Sequence, residues 1–351
     1  MNRRGFLRSL SVSATAGVAL GAQAAAYPEG AVDRPVPRFP GAQPRGTFAL
    51  EGQNARFYSP LISRPLRVLM LADTHLFLDD VRGIPFRSFS GRMAGAYNRP
   101  LHFLTGQATH PQECFEASLR QAQQIKADLV AIVGDLFSFP SEAAIEWVLD
   151  RLRLAGLPYV YVAGNHDWHY EGMEGSIESL RATWIQKRLL PLYQGRDPMA
   201  SSVEVQGVRF VSIDNSDYQI TPAQLRFWRA EVRRGQPMVL FVHIPLYAPG
   251  RSVGFGCGHP DWGASSDKGY ELERRPRWPE GGHSRATLAF HREVFSAKTL
   301  LGVCAGHVHK PALDVIQGVP QLVTHANAFG AHLDLQFQPL NSAGKDSGPR
   351  T

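Results

Sequence analysis

The sequence predicts an α/β fold built on parallel strands. Three observations carry that expectation. Apolar runs lie at 66–72, 129–133 and 159–163, helical apolar spacing fills 111–126 and 141–154 between them, and a polar cluster follows each run. Runs that are apolar at nearly every position suit strands covered on both faces. Alternating strands and helices join such strands in parallel through right-handed crossovers.

Taken in order, residues 66–72 form the first strand, and 111–126 form a helix with Phe115, Leu119, Ala122 and Ile125 on one stripe. Residues 129–133 are the next strand. The helix over 141–154 has Ser141 as its cap and Ile145, Val148, Leu149 and Leu152 on its apolar face. Residues 159–163 are again a strand. Beyond them, 202–205 and 208–213 flank Gln206-Gly207 as a hairpin. A helix over 222–232, a buried strand over 238–242, a helix over 286–295 and a strand over 299–305 follow. Short strands at 321–324 and 332–337 close the domain, which spans 66–338, and a polar tail over 339–351 is expected to be disordered. Residues 27–65, rich in Pro, Gly and Arg, read as a leader on the domain surface. Two long segments, 77–110 and 246–284, lack a regular pattern, and each follows a polar cluster. Unpatterned segments of that length are expected to wall a site.

Residues 1–26 read as a signal peptide. Arg3, Arg4 and Arg8 precede an apolar stretch over 9–21, and Ala22-Gln23-Ala24 supplies a cleavage site. The paired arginines give it a twin-arginine character, so the twin-arginine export machinery is an expected partner and the periplasm or cell exterior the expected location. The apolar stretch is shorter than the roughly 20 residues a membrane span needs, and no transmembrane segment is expected in the mature chain. Removal of the three arginines takes the formal net charge from +6 to +3. With no long basic run, a stable nucleic-acid partner is excluded, while a mild positive field suits anionic substrates. The three cysteines match no zinc motif. Cys114 and Cys304 read as core residues, and Cys257, in a Gly-rich loop, is left open between a free thiol and a disulfide.

Five polar clusters carry the chemistry: Asp73-Thr-His75, Gly134-Asp135, Gly164-Asn165-His166-Asp167, His243 and Gly306-His307-Val-His309. In open α/β sheets, ligands gather beyond the carboxyl ends of the strands, where these clusters fall. In an extended segment residues i and i+2 share a side, so Asp73 with His75, and His307 with His309, are expected to converge. Each cluster alone is weak: an H-x-H arises by chance, and a strand-end Asp is often a helix cap. All five in order supply oxygen and nitrogen donors for two adjacent metal ions.

The series D-x-H, G-D, G-N-H-[DE], H and G-H-x-H resembles the calcineurin-like metallophosphoesterases, over roughly 66–337. The resemblance implies a four-layer α/β/β/α sandwich with two mixed central sheets and the metals at their top. It implies Asp73, His75 and His309 on one metal, Asn165, His243 and His307 on the other, and Asp135 bridging both. His166 is implied as the catalytic histidine. The mixed donor set suits Mn, Fe or Zn and argues against Ca²⁺. No metal-binding Tyr is evident, so a purple Fe(III)–tyrosinate centre is not expected. Many relatives carry G-D-x-x-D, but this chain has Ser138 at the last position. The partner that orients His166 is therefore open, with Asp167 adjacent in sequence.

The expected reaction is metal-dependent hydrolysis of a phosphorylated small molecule by hydroxide shared between the metals, His166 assisting the leaving group. The sequence leaves monoester and diester open. A metallohydrolase of a non-phosphate ester or amide, and a non-catalytic metal-bound protein, are the competing readings. Arg82, Arg87 and Arg92 in the first long segment are candidate phosphate clamps, although solvated loop arginines are the commoner case. His169, near the G-N-H-D cluster, and Asp167 are candidate supports for the ligands. Tyr247, with Trp168, Tyr170, Trp262 and Tyr270, is a candidate for stacking on a substrate ring or for packing.

Overall fold

The computed structural model describes residues 46–262 and 282–340. The expected signal peptide, residues 341–351 of the expected tail, and Tyr270 lie outside these residues. Two six-stranded mixed sheets face one another, in the orders β1-β2-β12-β3-β4-β5 and β10-β11-β9-β8-β7-β6. In the first, β3 (Leu66–Leu71), β4 (Leu129–Val133) and β5 (Tyr159–Val162) run parallel, as their apolar runs predict. In the second, β7 (Val208–Ile213), β8 (Met238–Phe241), β9 (Leu300–Ala305) and β11 (Val319–Val323) run parallel. Two antiparallel strands flank them: β6 (Ala200–Val205) beside β7 and β10 (Ala312–Ile316) beside β11.

Strand side chains divide by parity. Val68 and Met70 of β3 enter a core between the sheets with Phe210, Phe241 and Cys304, while Leu69 and Leu71 pack outward with Phe115 and Leu119. Those two belong to α2 (Pro111–Gln124), which lies with α3 (Glu142–Ala155) on the outer face of the first sheet. The outer face of the second sheet is covered by α5 (Pro222–Arg233) and α6 (Arg285–Ser296), through Trp228 and Phe290. The layers are helix, sheet, sheet, helix. Ser141 caps α3 as expected, its hydroxyl accepting from the Ala144 amide at 3.4 Å.

Three expectations need correction. The 27–65 leader contributes strands: β1 (Thr47–Glu51) and β2 (Asn54–Ser59) form a hairpin at the edge of the first sheet. β2 pairs in parallel with β12 (Leu333–Pro339), so the strand also takes in Pro339 from the expected tail. The 77–110 segment is not loop throughout: a 3-10 turn, Val81–Phe86, runs into α1 (Arg87–Ala96). Beyond these, α4 (Ile177–Trp184) was not anticipated from the pattern. All three cysteines are buried and free, Cys257 included. Among the described residues no helix is long and apolar enough to cross a membrane.

Candidate metal centre

Five parallel strands deliver the polar clusters to one edge. Asp73, Asp135 and Asn165 follow β3, β4 and β5, and His243 and His307 follow β8 and β9. The two sheets meet here: His243 Nδ1 lies 3.0 Å from the Val133 carbonyl at the end of β4. The ligand loops continue the sheet's hydrogen bonding, His75 N to the Asp135 carbonyl and Leu76 N to the Leu136 carbonyl, each at 2.9 Å.

The backbone reaches this geometry by a route the sequence reading did not anticipate. Convergence was expected from extended i, i+2 spacing. Instead Asp73, His75, Asp135, His307 and His309 all have positive φ, between 48° and 72°. Left-handed residues fold the loops after β3, β4 and β9 back onto the strand ends. Space is as tight as the turns: a Cβ on Gly134 would lie 2.3 Å from His243 Nδ1, and one on Gly164 would lie 2.2 Å from Asp135 Oδ1. Only glycine lets these backbones come so near the ligand side chains.

Two groups of donors form, with Asp135 in both. Asp73, His75, Asp135 and His309 offer ligand atoms within 4.8 Å of one another, and so do Asp135, His243 and His307. In the first, His75 Nε2 and His309 Nε2 are 2.9 Å apart, and Asp73 Oδ1 is 3.3 Å from His309 Nε2. In the second, His243 Nε2 is 3.2 Å from Asp135 Oδ2 and 3.2 Å from Asn165 Oδ1. Four imidazoles and two carboxylates, all but His307 and His309 fully buried, aim nitrogen and oxygen lone pairs at two neighbouring points. That donor set fits transition-metal cations.

The electrostatics agree. Burial, then the neighbouring His309 and His166, hold His75 well below the usual imidazole range. Burial and His243 pull His307 down to about 3. Both rings therefore present neutral lone pairs, the form that binds metal. Burial works against the charged forms of Asp135 and His243, but their mutual attraction wins. Asp135 lies well below the usual carboxylate range, with His166 and His75 assisting, and His243 rises to about 10. A proton and a metal ion compete for His243 Nε2.

Beside the donors lies a cavity of about 220 Å³, lined by Arg92, Tyr97, Ser138, Asn165, His166 and neighbours. His166 is partly exposed; its amide donates to Asp135 Oδ1 at 2.8 Å and its Nδ1 lies 3.4 Å from the Ser138 carbonyl. Ser138 thus meets His166 through its backbone, while its hydroxyl donates to the His75 carbonyl at 3.0 Å. Asp167 points elsewhere. Its carboxyl accepts from the amides of Phe137 and Gly164, each at 2.8 Å, and ties the two ligand loops together. Burial and the adjacent Asp135 push that carboxyl up to about 7 against the pull of the two amides. His169 is buried behind His166, their ring centroids 6.5 Å apart.

Of the three arginines, Arg92 alone lines the cavity, its Nε 2.6 Å and 2.9 Å from the Glu171 carboxylate. Arg82 is excluded because Asp80, Glu142 and Glu146 occupy its guanidinium at the protein surface. Arg87 is exposed at the start of α1 and does not line the cavity. Tyr247 packs on His259, ring centroids 4.2 Å apart, and also does not line the cavity. Trp168, Tyr170 and Trp262 are core residues. Tyr97 and Tyr218 were missed. Tyr97 stacks on His75 with centroids 4.0 Å apart and planes at 7°, and Tyr218 Oη is 2.7 Å from His307 Nε2. No motif announces either.

Clustered carboxylates and imidazoles at the carboxyl edges of two mixed sheets define a candidate metal centre on an α/β sandwich. The chain belongs to the calcineurin-like phosphoesterase family, whose profile matches residues 66–311. It is 24% identical over 241 residues to a probable cyclic nucleotide phosphodiesterase of Psychrobacter sp. (strain PRwf-1), a match covering 66% of this chain and 59% of that protein. A 66-residue stretch is 36% identical to a probable cyclic nucleotide phosphodiesterase of Moraxella catarrhalis (strain BBH18), covering 19% of this chain and 24% of that protein. The chain thus spans less than two thirds of the length of these relatives. Among solved structures, a dimetal phosphatase from Danio rerio is similar at 14% identity and a TM-score of 0.46, over 75% of this chain and 88% of that one.

Proposed function

We propose that the protein is a binuclear metal-dependent phosphodiesterase. The observation that carries this reading is the pair of donor groups that share Asp135. Asp73, His75 and His309 would hold one cation, Asn165, His243 and His307 the other, and Asp135 both. Bound there, two divalent cations supply Lewis-acid activation of a water and neutralise charge on the phosphoryl oxygens.

The chain's own residues do the rest. The His166 amide fixes one oxygen of Asp135. The Ser138 carbonyl accepts from His166 Nδ1, which assigns proton transfer to the leaving oxygen to Nε2. Preference for a diester rests on charge. Arg92 is the one Lys or Arg lining the cavity among the described residues, and Glu171 already balances it. A singly charged diester needs no further cation, whereas a doubly charged monoester gains from one. The names of the relatives support the same substrate class.

The test is an assay of Mn²⁺- or Zn²⁺-loaded protein on bis-p-nitrophenyl phosphate, p-nitrophenyl phosphate and p-nitrophenyl acetate. The diester is expected to be turned over fastest, with activity lost to EDTA. Faster monoester turnover would overturn the diester assignment, and turnover of the acetate alone would overturn the phosphoesterase reading.

A further inference from the structure

Two tyrosines outside the candidate ligand set touch the two histidines of the G-H-x-H cluster. Tyr218 is fully buried, and its hydroxyl lies 2.7 Å from His307 Nε2. The same hydroxyl donates to the Gly254 carbonyl at 3.4 Å. A hydroxyl carries one proton, and a carbonyl oxygen only accepts. The hydroxyl's close partner is His307 Nε2, and where Nδ1 is the metal-ligating atom Nε2–H donates and the hydroxyl accepts. That places the imidazole proton on Nε2 and leaves the lone pair on Nδ1.

Tyr97 does the same for His309 from the other side. Its hydroxyl is 3.3 Å from His309 Nδ1. His309 Nε2 is the atom that meets His75 Nε2 and Asp73 Oδ1. The two histidines thus use opposite ring nitrogens, and a tyrosine hydroxyl faces the unused one in each. The Tyr97 ring also lies flat on His75, so a single side chain touches both imidazoles of one donor group.

Packing alone does not account for Tyr218. Its ring stacks on Trp262, centroids 5.6 Å apart, which explains the buried ring. It does not explain φ of 62°, a left-handed backbone that a bulky aromatic rarely adopts. Strain of this kind gathers at functional sites, and here it aims the hydroxyl at His307.

We propose that Tyr97 and Tyr218 are positioning residues, one for each metal position. Tyr218 sets the His307 tautomer. Tyr97 sets the His309 tautomer and holds the His75 ring. The inference rests on the two-metal reading above. Partners of this type orient ligand histidines and raise their basicity.

The test is calorimetric titration of metal-stripped protein with Zn²⁺. It compares wild type, Tyr97→Phe and Tyr218→Phe, each alone and in an Asn165→Ala background that cripples the Asn165, His243 and His307 position. Each Phe variant is expected to weaken one of two zinc equivalents by about 10–100-fold. In the Asn165→Ala background, Tyr97→Phe still weakens the remaining equivalent and Tyr218→Phe does not. Two wild-type affinities in both Phe variants would overturn the proposal, as would both variants weakening the same equivalent. A wild-type protein that binds no zinc would overturn the metal reading instead. Melting temperatures of the metal-stripped variants serve as the folding control. Phe keeps each ring in place, so these are expected to match wild type. A lowered melting temperature with unchanged zinc affinity would also count against the proposal.

Discussion

Five candidate metal ligands, Asp73, His75, Asp135, His307 and His309, sit in left-handed backbone. Each such residue costs of order 1–3 kcal/mol, tolerated only where surrounding contacts over-determine the conformation. Here the contacts are visible: the His307 amide donates to Asp73, the His166 amide to Asp135, and the His75 amide to the Asp135 carbonyl. His166 differs from its neighbours. It lines the cavity as His307 and His309 do, but its φ lies outside the left-handed set. Its assignment to proton transfer predicts that His166→Ala lowers kcat by about 10²–10⁴-fold while bound metal stays at the wild-type equivalents. Metal analysis beside steady-state kinetics checks this, and loss of metal would make His166 a ligand instead. The candidate ligands were legible because their residue types and order form motifs. Tyr97 and Tyr218 were not, because a tyrosine that touches a histidine 89 residues away leaves no local pattern.

Loops between elements carry the next level of order. Asp167 acts here, its carboxyl joining the loop after β4 to the loop after β5. Asp167→Ala removes the acceptor of two buried amides, at a cost of about 1–3 kcal/mol for each left unpaired. Urea unfolding of the metal-stripped variant is expected to show a lowered midpoint, and an unchanged midpoint would mean these bonds are dispensable. Continuous apolar runs made β3, β4, β5, β8 and β9 readable. α1 was missed for a physical reason. Its sequence holds Gly91 and Gly95 and buries only Ser90 and Met93, so neither propensity nor an apolar stripe marks it. β1 was equally hidden, because nearly all of its residues are exposed.

At the scale of the molecule, the site exists only because two sheets stack. His75 and Asp135 come from the first, His243 and His307 from the second, and the core of Met70, Phe210, Phe241 and Phe337 fixes their relation. The partner of β2 is a strand about 280 residues further along, a pairing no local pattern encodes. The sequence therefore disclosed what each sheet delivers and concealed how the first sheet is completed. On the proposed reading two metal positions share Asp135, and metal content is the measurement that bears on it. Inductively coupled plasma analysis of Zn²⁺-reconstituted protein, after removal of loose metal, is expected to give two equivalents per chain in wild type. Asp135→Ala is expected to lose metal from both positions. One equivalent in wild type, or two retained by Asp135→Ala, would contradict the account.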